Sequence, residues 1–364
     1  MTHDSRPRLA ARTLVVATLA CAALPALAEP VRSPAGKPAA RPTPAVGIAA
    51  NLPPTASPET RQAALDTVRR TGASLLALEL SWSAAEPRPH EYHLEEITRT
   101  ARLLRQSGAI LHLNLPLVTE SARDVPADLA ETAFDDPTLS LRLGRLLDAL
   151  MPALLDFETL SLGEGADTYF ADKPEELRAY RRLFEGAVLF LRKKVPHLLV
   201  GVTTSAPTES RSPEVAAALH RKSAVLFYTY CPLSLGKPFE QRPPDSIEKD
   251  WTALLRGAAG RPIAFPTVSY SSSPENGSSP EKQAEFIRRF RRFLEQADGR
   301  ALLFARYVGL RDPSPGSLPA VAPEASEAER RRRALLSNRG LQDADGHPKP
   351  AWRQWIREPA GVKR

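Results

Sequence analysis

The chain has 364 residues, of which 49 are Lys or Arg, 42 are Asp or Glu and only 2 are Cys. This length suits two ordinary domains or one large barrel, and it exceeds that of a small disulfide-stabilised module. Two cysteines exclude a framework of several disulfides and a zinc ribbon, because both need clustered thiols. The densest arginines fall in predicted helices without stacking aromatic residues, which favours a solvated surface over nucleic-acid binding.

Residues 1–28 have the pattern of an export signal. A basic start is followed by an apolar stretch from Leu14 to Leu24, and Ala26-Leu27-Ala28 forms a small-x-small cleavage site. An alternative is a lipid anchor at Cys21, since Leu19-Ala20-Cys21 resembles the end of a lipobox. No apolar run reaches the roughly 18 residues of a transmembrane helix. We therefore predict a secreted or periplasmic protein, with anchoring in the envelope as the alternative.

A proline-rich linker, residues 29–44, follows the predicted signal. It contains five prolines and no apolar side chain larger than Val31, so it cannot build a core. The folded domain is predicted to span residues 45–364.

From Ala45 onwards, short apolar runs alternate with longer segments that have helical periodicity. Eight such runs are predicted to be strands: Val46–Ala50, Ser74–Leu80, Ile110–Leu115, Phe157–Leu162, Leu198–Thr203, Ala224–Tyr230, Ile263–Val268 and Leu302–Val308. Ser57 and Ser279, each followed by Pro and Glu, are predicted helix N-caps. Eight strand-then-helix units predict an α/β fold, a (β/α)8 TIM barrel. An open doubly wound sheet is the alternative, but the first strand lacks its Gly-rich turn.

In such a barrel the functional residues lie at the carboxyl ends of the strands. Carboxylates, amides and aromatic rings are predicted to gather there, a combination that suits sugars. The predicted substrate-binding residues are Trp82, Glu86, Asn114, Asp167, Tyr169, Tyr230, Thr267, Tyr270 and Tyr307. Glu164 is the candidate catalytic residue. Glu79 on the second strand, if it points inward, needs a partner, and Arg306 on the eighth strand is the predicted one.

Four segments in chain order carry recognisable patterns. They are Trp82–Pro87 with Tyr92, Ser161–Asp167, Arg261–Tyr270 and Gly340–Trp352. These segments resemble the W-x-x-x-E-P…Y, S-x-G-N-E-x-D and K-P-I…E-x-G-Y motifs and the C-terminal tail of retaining glycoside hydrolases with TIM barrels. That clan includes cellulases and β-galactosidases. The resemblance implies a barrel that handles a poly- or oligosaccharide without a cofactor.

Both catalytic positions of the family motif depart from the pattern. An ungapped match places Glu164 at the Asn and Gly165 at the acid/base Glu, while Thr267 stands at the nucleophilic Glu. A glycosidase needs two carboxyl groups, about 5–5.5 Å apart when it retains configuration and about 6.5–9.5 Å when it inverts. The sequence therefore favours a monomeric barrel that binds a glycan without cutting it.

Alternatives remain for the protein and for single residues. The chain could be an active glycosidase that pairs Glu164 with a displaced carboxylate such as Glu86 or Asp312, or an interaction protein of the envelope. Glu86 could be a surface carboxylate, and Asp167 could cap a local loop. The aromatic residues could equally belong to the core. His112 and Asn114 share one strand face, but no further ligands stand at a suggestive spacing, so no metal site is predicted.

Overall fold

The computed structural model describes residues 42–50, 57–318, 320–322 and 324–356. The predicted signal, the anchor at Cys21 and most of the linker lie outside these residues. None of the helices described is both long and apolar enough to span a bilayer.

The described residues form nine strands, all paired in parallel. They are β1 (Ala45–Ala49), β2 (Leu75–Glu79), β3 (Ile110–Asn114), β4 (Thr159–Ser161), β5 (Leu199–Gly201), β6 (Thr203–Ser205), β7 (Leu226–Tyr230), β8 (Ile263–Val268) and β9 (Leu302–Val308). β5 and β6 are two parts of one strand, interrupted only at Val202. Each of the eight predicted runs therefore contains a strand.

Twelve α-helices are present in the same residues. They are α1 (Pro58–Arg70), α2 (Trp82–Ala85), α3 (Glu95–Gln106), α4 (Pro137–Ala149), α5 (Met151–Leu154), α6 (Ala166–Tyr169), α7 (Pro174–Lys194), α8 (Pro213–Leu219), α9 (Ser246–Gly257), α10 (Pro280–Gln296), α11 (Glu327–Ser337) and α12 (Pro350–Trp355). Both predicted caps are confirmed, since Ser57 Oγ accepts from Thr60 N and Ser279 Oγ accepts from Lys282 N, each at 3.2 Å.

The strands follow one another around the sheet in chain order. One sheet has the order β2-β3-β4-β5 and the other β1-β9-β8-β7-β6, so the interrupted strand β5–β6 connects them on one side. On the other side Ser74 N donates to Val46 O at 2.9 Å. A Cβ on Gly47 would lie 2.9 Å from Leu75 O, so glycine allows β1 to approach β2 closely. This is the strand order of the predicted eight-unit barrel.

The core has an inner part and an outer layer. Inside, the His112 ring lies between Phe227 and Phe304, with ring centroids 5.0 and 5.2 Å away. Outside, the strands pack against helices, as in the stack of Trp251 in α9 on Phe265 in β8 at 4.0 Å. Along each strand, side chains point alternately into the inner part and into the outer layer. Which strand-end residues reach the open mouth depends on this alternation.

Candidate functional site

The mouth at the carboxyl ends of the strands contains an amide–carboxylate pair. Asn114, the last residue of β3, donates from Nδ2 to Glu164 Oε2 at 3.3 Å. Both residues are half-buried, and the Asn114 Oδ1 atom is buried with no hydrogen-bond partner in the described part of the chain. The structure therefore brings two of the predicted site residues together, and it leaves one acceptor atom without a donor.

A second polar pair joins β2 and β9 across the boundary between the sheets. The carboxylate of Glu79 lies 3.5 Å from Arg306 Nη2, which confirms the pair predicted from the sequence. Arg306 is largely buried while Glu79 is exposed, so this ion pair lies at the edge of the mouth. The Glu79 carboxylate offsets part of the arginine charge, while Arg306 Nε is buried without a hydrogen-bond partner among the described residues.

Gly165, which the ungapped motif match aligns with an acid/base Glu, has a backbone that favours glycine. Its φ is +61°, in the left-handed region. A Cβ built there would overlap Cγ of Glu120 and would lie 3.3 Å from Cδ and from Oε1 of the same side chain. Glu120, which the sequence analysis did not select, therefore lies directly over the position that lacks a carboxylate.

Thr267, which the motif match aligns with a nucleophilic Glu, lies on β8 and is paired in register with Thr229 of β7. It is partly exposed. Its hydroxyl can bond to a ligand, but it is a poor nucleophile without an adjacent base.

Three predicted sugar platforms are tyrosines that lie fully inside the protein. Tyr230 donates to Asp250 Oδ2 at 2.9 Å, and Tyr270 donates to Arg242 O at 2.8 Å. Tyr307 Oη lies 2.9 Å from Arg339 O. These rings have no open face for a sugar, because they point into the layer between strands and helices. The alternative of a core role is the one that matches these positions.

Tyr169 is also buried. Its hydroxyl donates to Glu176 Oε1 at 2.8 Å, and Lys173 Nζ lies 4.0 Å from the ring centroid. Burial and the bond to Glu176 both raise the pKa of Tyr169. One face of this ring is therefore covered by the protein's own cation.

Trp82 and Glu86, four residues apart at α2, are fully buried and bonded to each other. Trp82 Nε1 donates to Glu86 Oε2 at 2.8 Å, and Glu86 Oε1 accepts from His90 N at 2.8 Å and from Arg142 Nε at 2.9 Å. Glu86 is therefore neither a surface carboxylate nor a displaced catalytic one, since burial and the Arg142 ion pair engage it. The W-x-x-x-E segment stabilises the fold beside the mouth.

Asp312 and Asp167 are engaged in a similar way. Asp312 forms an ion pair with Lys349 and accepts from Gly340 N at 2.6 Å. Asp167, buried, accepts from Ser205 N at 2.8 Å and from Ser210 Oγ at 2.7 Å. Asp167 thus positions the loop after β6 and does not cap the loop in which it lies. Asp312 does not supply a free second carboxylate.

A cleft of about 510 Å³ opens beside Asp167, between the loops that follow β4, β6 and β7. Glu209 lines it, accepts from Cys231 N at 2.9 Å through Oε2, and has its buried Oε1 without a hydrogen-bond partner among the described residues. Burial raises the pKa of Glu209 well above its usual value, and nearby Asp250 adds to this while Arg242 opposes it. No motif marks Glu209, so the sequence offered no signal for it.

Cys231 is not suited to nucleophilic chemistry. Burial, reinforced by Glu209, raises the pKa of its thiol to about 11, so the thiol stays protonated at neutral pH. For metals, one group among the described residues brings three ligand atoms within 4.8 Å, namely Asp343, Asp345 and His347. His347 Nδ1 lies 3.0 Å from Asp343 Oδ2 at the surface. The absence of a metal at the mouth stays a prediction.

Comparison with known proteins gives structural neighbours only. No protein-family model and no curated protein sequence matches the chain. GH5_18 from Bifidobacterium longum subsp. longum, crystallised with Manβ1-4GlcNAc, matches with a TM-score of 0.61 and 14% identity over 86% of this chain and 77% of that one. GH5_18 from Streptomyces cattleya, in complex with GlcNAc, matches with a TM-score of 0.60 and 16% identity over 87% of this chain and 80% of that one.

An exo-β-1,4-mannosidase from Opitutaceae bacterium strain TAV5 also matches, with a TM-score of 0.58 and 16% identity over 87% of this chain and 59% of that one. The fold is that of a glycoside hydrolase barrel. This confirms the predicted (β/α)8 fold class and the fold implied by the motif resemblance. At such identities the likeness concerns the fold alone.

Proposed function

We propose that the protein is an exported barrel that binds a poly- or oligosaccharide at its mouth and does not hydrolyse it. The observation that carries the proposal is the pair of departures at Gly165 and Thr267, in a chain whose fold is that of glycoside hydrolases. Carbohydrate as the ligand is supported by neighbours crystallised with Manβ1-4GlcNAc and GlcNAc. The export pattern of residues 1–28 supports a location outside the cytoplasm.

The polar groups of the mouth suit hydroxyl ligands. Thr267 is partly exposed and offers a hydroxyl that can both donate and accept. Glu164 is held in place by Asn114 and can accept from a sugar hydroxyl. A sugar would thus be bound through several directed hydrogen bonds.

Loss of hydrolysis is supported by the roles of Glu86 and Asp312 and by the residue at 267. Glu86 and Asp312 are held in ion pairs with Arg142 and Lys349, so neither completes a catalytic pair with Glu164. A hydroxyl at 267 does not replace an attacking carboxylate. Binding is the part of the family's activity that these residues can still support.

The test is a thermal-shift screen of the purified chain against neutral oligosaccharides, Manβ1-4GlcNAc included. We expect at least one saccharide to raise the melting temperature. Asn114→Ala should weaken binding of that saccharide several-fold, because each lost hydrogen bond is worth about 0.5–1.5 kcal/mol. If no saccharide stabilises the chain, the proposal is wrong and an interaction protein becomes the better account.

A further inference from the structure

The loop after β3, residues 117–123, is fixed against the end of β4. Glu164 N donates to Val118 O at 2.9 Å across the two segments, and within the loop Thr119 N donates to Ala122 O at 2.8 Å. Glu120 lies in the turn that the second bond closes. Its backbone position is therefore set by hydrogen bonds, and it is tied to the segment that carries Glu164.

The Glu120 side chain occupies the space beside Gly165. Its Cδ and Oε1 both lie 3.3 Å from the place where a Cβ of residue 165 would be, and its Cγ would overlap that atom. Glu120 is exposed, and no hydrogen bond or ion pair to another residue in the described ranges engages its carboxylate. The carboxylate can therefore meet a ligand in solution.

The polar atoms nearby call for a ligand that donates hydrogen bonds. Glu120 is exposed and contributes carboxylate oxygens, which accept hydrogen bonds. Hydroxyl groups supply such donors. A carboxylate on the ligand would instead face the negative charge of Glu120.

We propose that Glu120 is a saccharide-binding residue of the mouth. It supplies, from the loop after β3, a carboxylate at the place where position 165 has none, and it selects neutral sugars over uronic acids. This inference rests on the proposed function, and it adds a specific contact and a ligand preference to it.

Calorimetry on the intact chain tests the proposal, with a neutral oligosaccharide that binds and its uronic-acid counterpart. Glu120→Ala is expected to weaken binding of the neutral ligand about tenfold or more, since hydrogen bonds to charged groups are the stronger ones. Glu120→Gln should weaken binding of the neutral ligand less than Glu120→Ala does. It should also reduce the difference in affinity between the neutral ligand and the uronic acid. Glu131→Gln, an exposed glutamate of the following segment, is the matched control and should change neither affinity.

A second variant displaces the carboxylate without removing it. Gly165→Ala places a Cβ against Glu120 Cγ and should weaken binding by a similar factor, provided that circular dichroism shows a folded chain. In the Glu120→Ala background, Gly165→Ala should cause no further loss, because the displaced group is already absent.

The outcomes separate the two proposals. If the wild type binds a neutral saccharide and Glu120→Ala binds it equally tightly, the inference about Glu120 is wrong while the proposed function stands. If the wild type binds no saccharide, both are wrong. Product release that Glu120→Gln abolishes would place Glu120 at the sugar and would contradict binding without hydrolysis.

Discussion

At the residue scale, burial decides what each carboxylate does. Glu86 lies inside the protein against Arg142, whereas Glu91 forms an exposed pair with Arg88. A buried charge that loses its partner costs roughly 3–5 kcal/mol, while an exposed pair contributes about 0–1 kcal/mol. Glu86 is therefore expected to be structural, and Glu91 to be dispensable.

Glu86→Gln should lower the free energy of unfolding in urea by about 3 kcal/mol, at the low end of that range because Asp128 still pairs with Arg142. Glu91→Gln is the matched control and should change the free energy by less than about 1 kcal/mol. Equal effects of the two substitutions would contradict the assignment of Glu86 as a buried ion-pair partner.

The raised pKa of Glu209 predicts how stability depends on pH. Because its pKa is raised in the folded state, the folded chain binds more protons than the unfolded one, and stability falls as pH rises from the usual glutamate value of 4.5 towards the raised value. Cys231, Asp250, Arg242 and Tyr230 surround the carboxyl group. Glu209→Gln should remove this decline, so its advantage over wild type should grow with pH in urea unfolding series. An advantage independent of pH would show that the pKa is not raised.

At the element scale, several of the helices begin at a side-chain cap. Ser279→Ala should destabilise the protein by about 1 kcal/mol, because Lys282 N at the start of α10 loses its acceptor. Ser140, exposed within α4, is the control, and Ser140→Ala should be neutral or slightly stabilising. A loss at both positions alike would argue against a capping role for Ser279.

The strands and caps could be predicted because their signals are local. Each strand is a short apolar run, and Ser-Pro-Glu marks a helix start on its own. The Glu79–Arg306 pair could also be predicted, since a barrel places the second and eighth strands near each other. These features need only the sequence and the fold class.

The direction of strand-end side chains could not be predicted. Register shifts between Phe227 and Thr229 and between Phe265 and Val268 change which residues face inward. Tyr230 packs on the helical layer, with its ring 5.8 Å from that of Trp251 in α9. Contacts such as Glu120 over Gly165 join loops distant in sequence, and no local pattern reports them.

At the scale of the whole molecule, two buried histidines limit stability in acid. Burial lowers the pKa of His112 to about 3 and that of His220 to about 4, so both are neutral in the folded state. The unfolded chain takes up these protons near pH 6.5, and stability is therefore lost as pH falls from 6.5 towards these values. Each group contributes a slope of about 1.4 kcal/mol per pH unit.

His112→Gln should remove the contribution of one histidine from the decline in stability, when unfolding in urea is followed between pH 6.5 and 4. His197→Gln, at an exposed position, should leave the slope unchanged. A slope for His112→Gln equal to that of the wild type would mean that His112 is not held neutral by the fold.

The central claim is that a glycoside hydrolase barrel with glycine at 165 and threonine at 267 binds sugar without cutting it. The most direct measurement is prolonged incubation of the purified chain with an oligosaccharide shown by calorimetry to bind, followed by chromatography of the sugar. We predict that the saccharide is recovered intact. Release of shorter products, lost in Glu164→Gln, would contradict the account and would make the protein an active glycosidase.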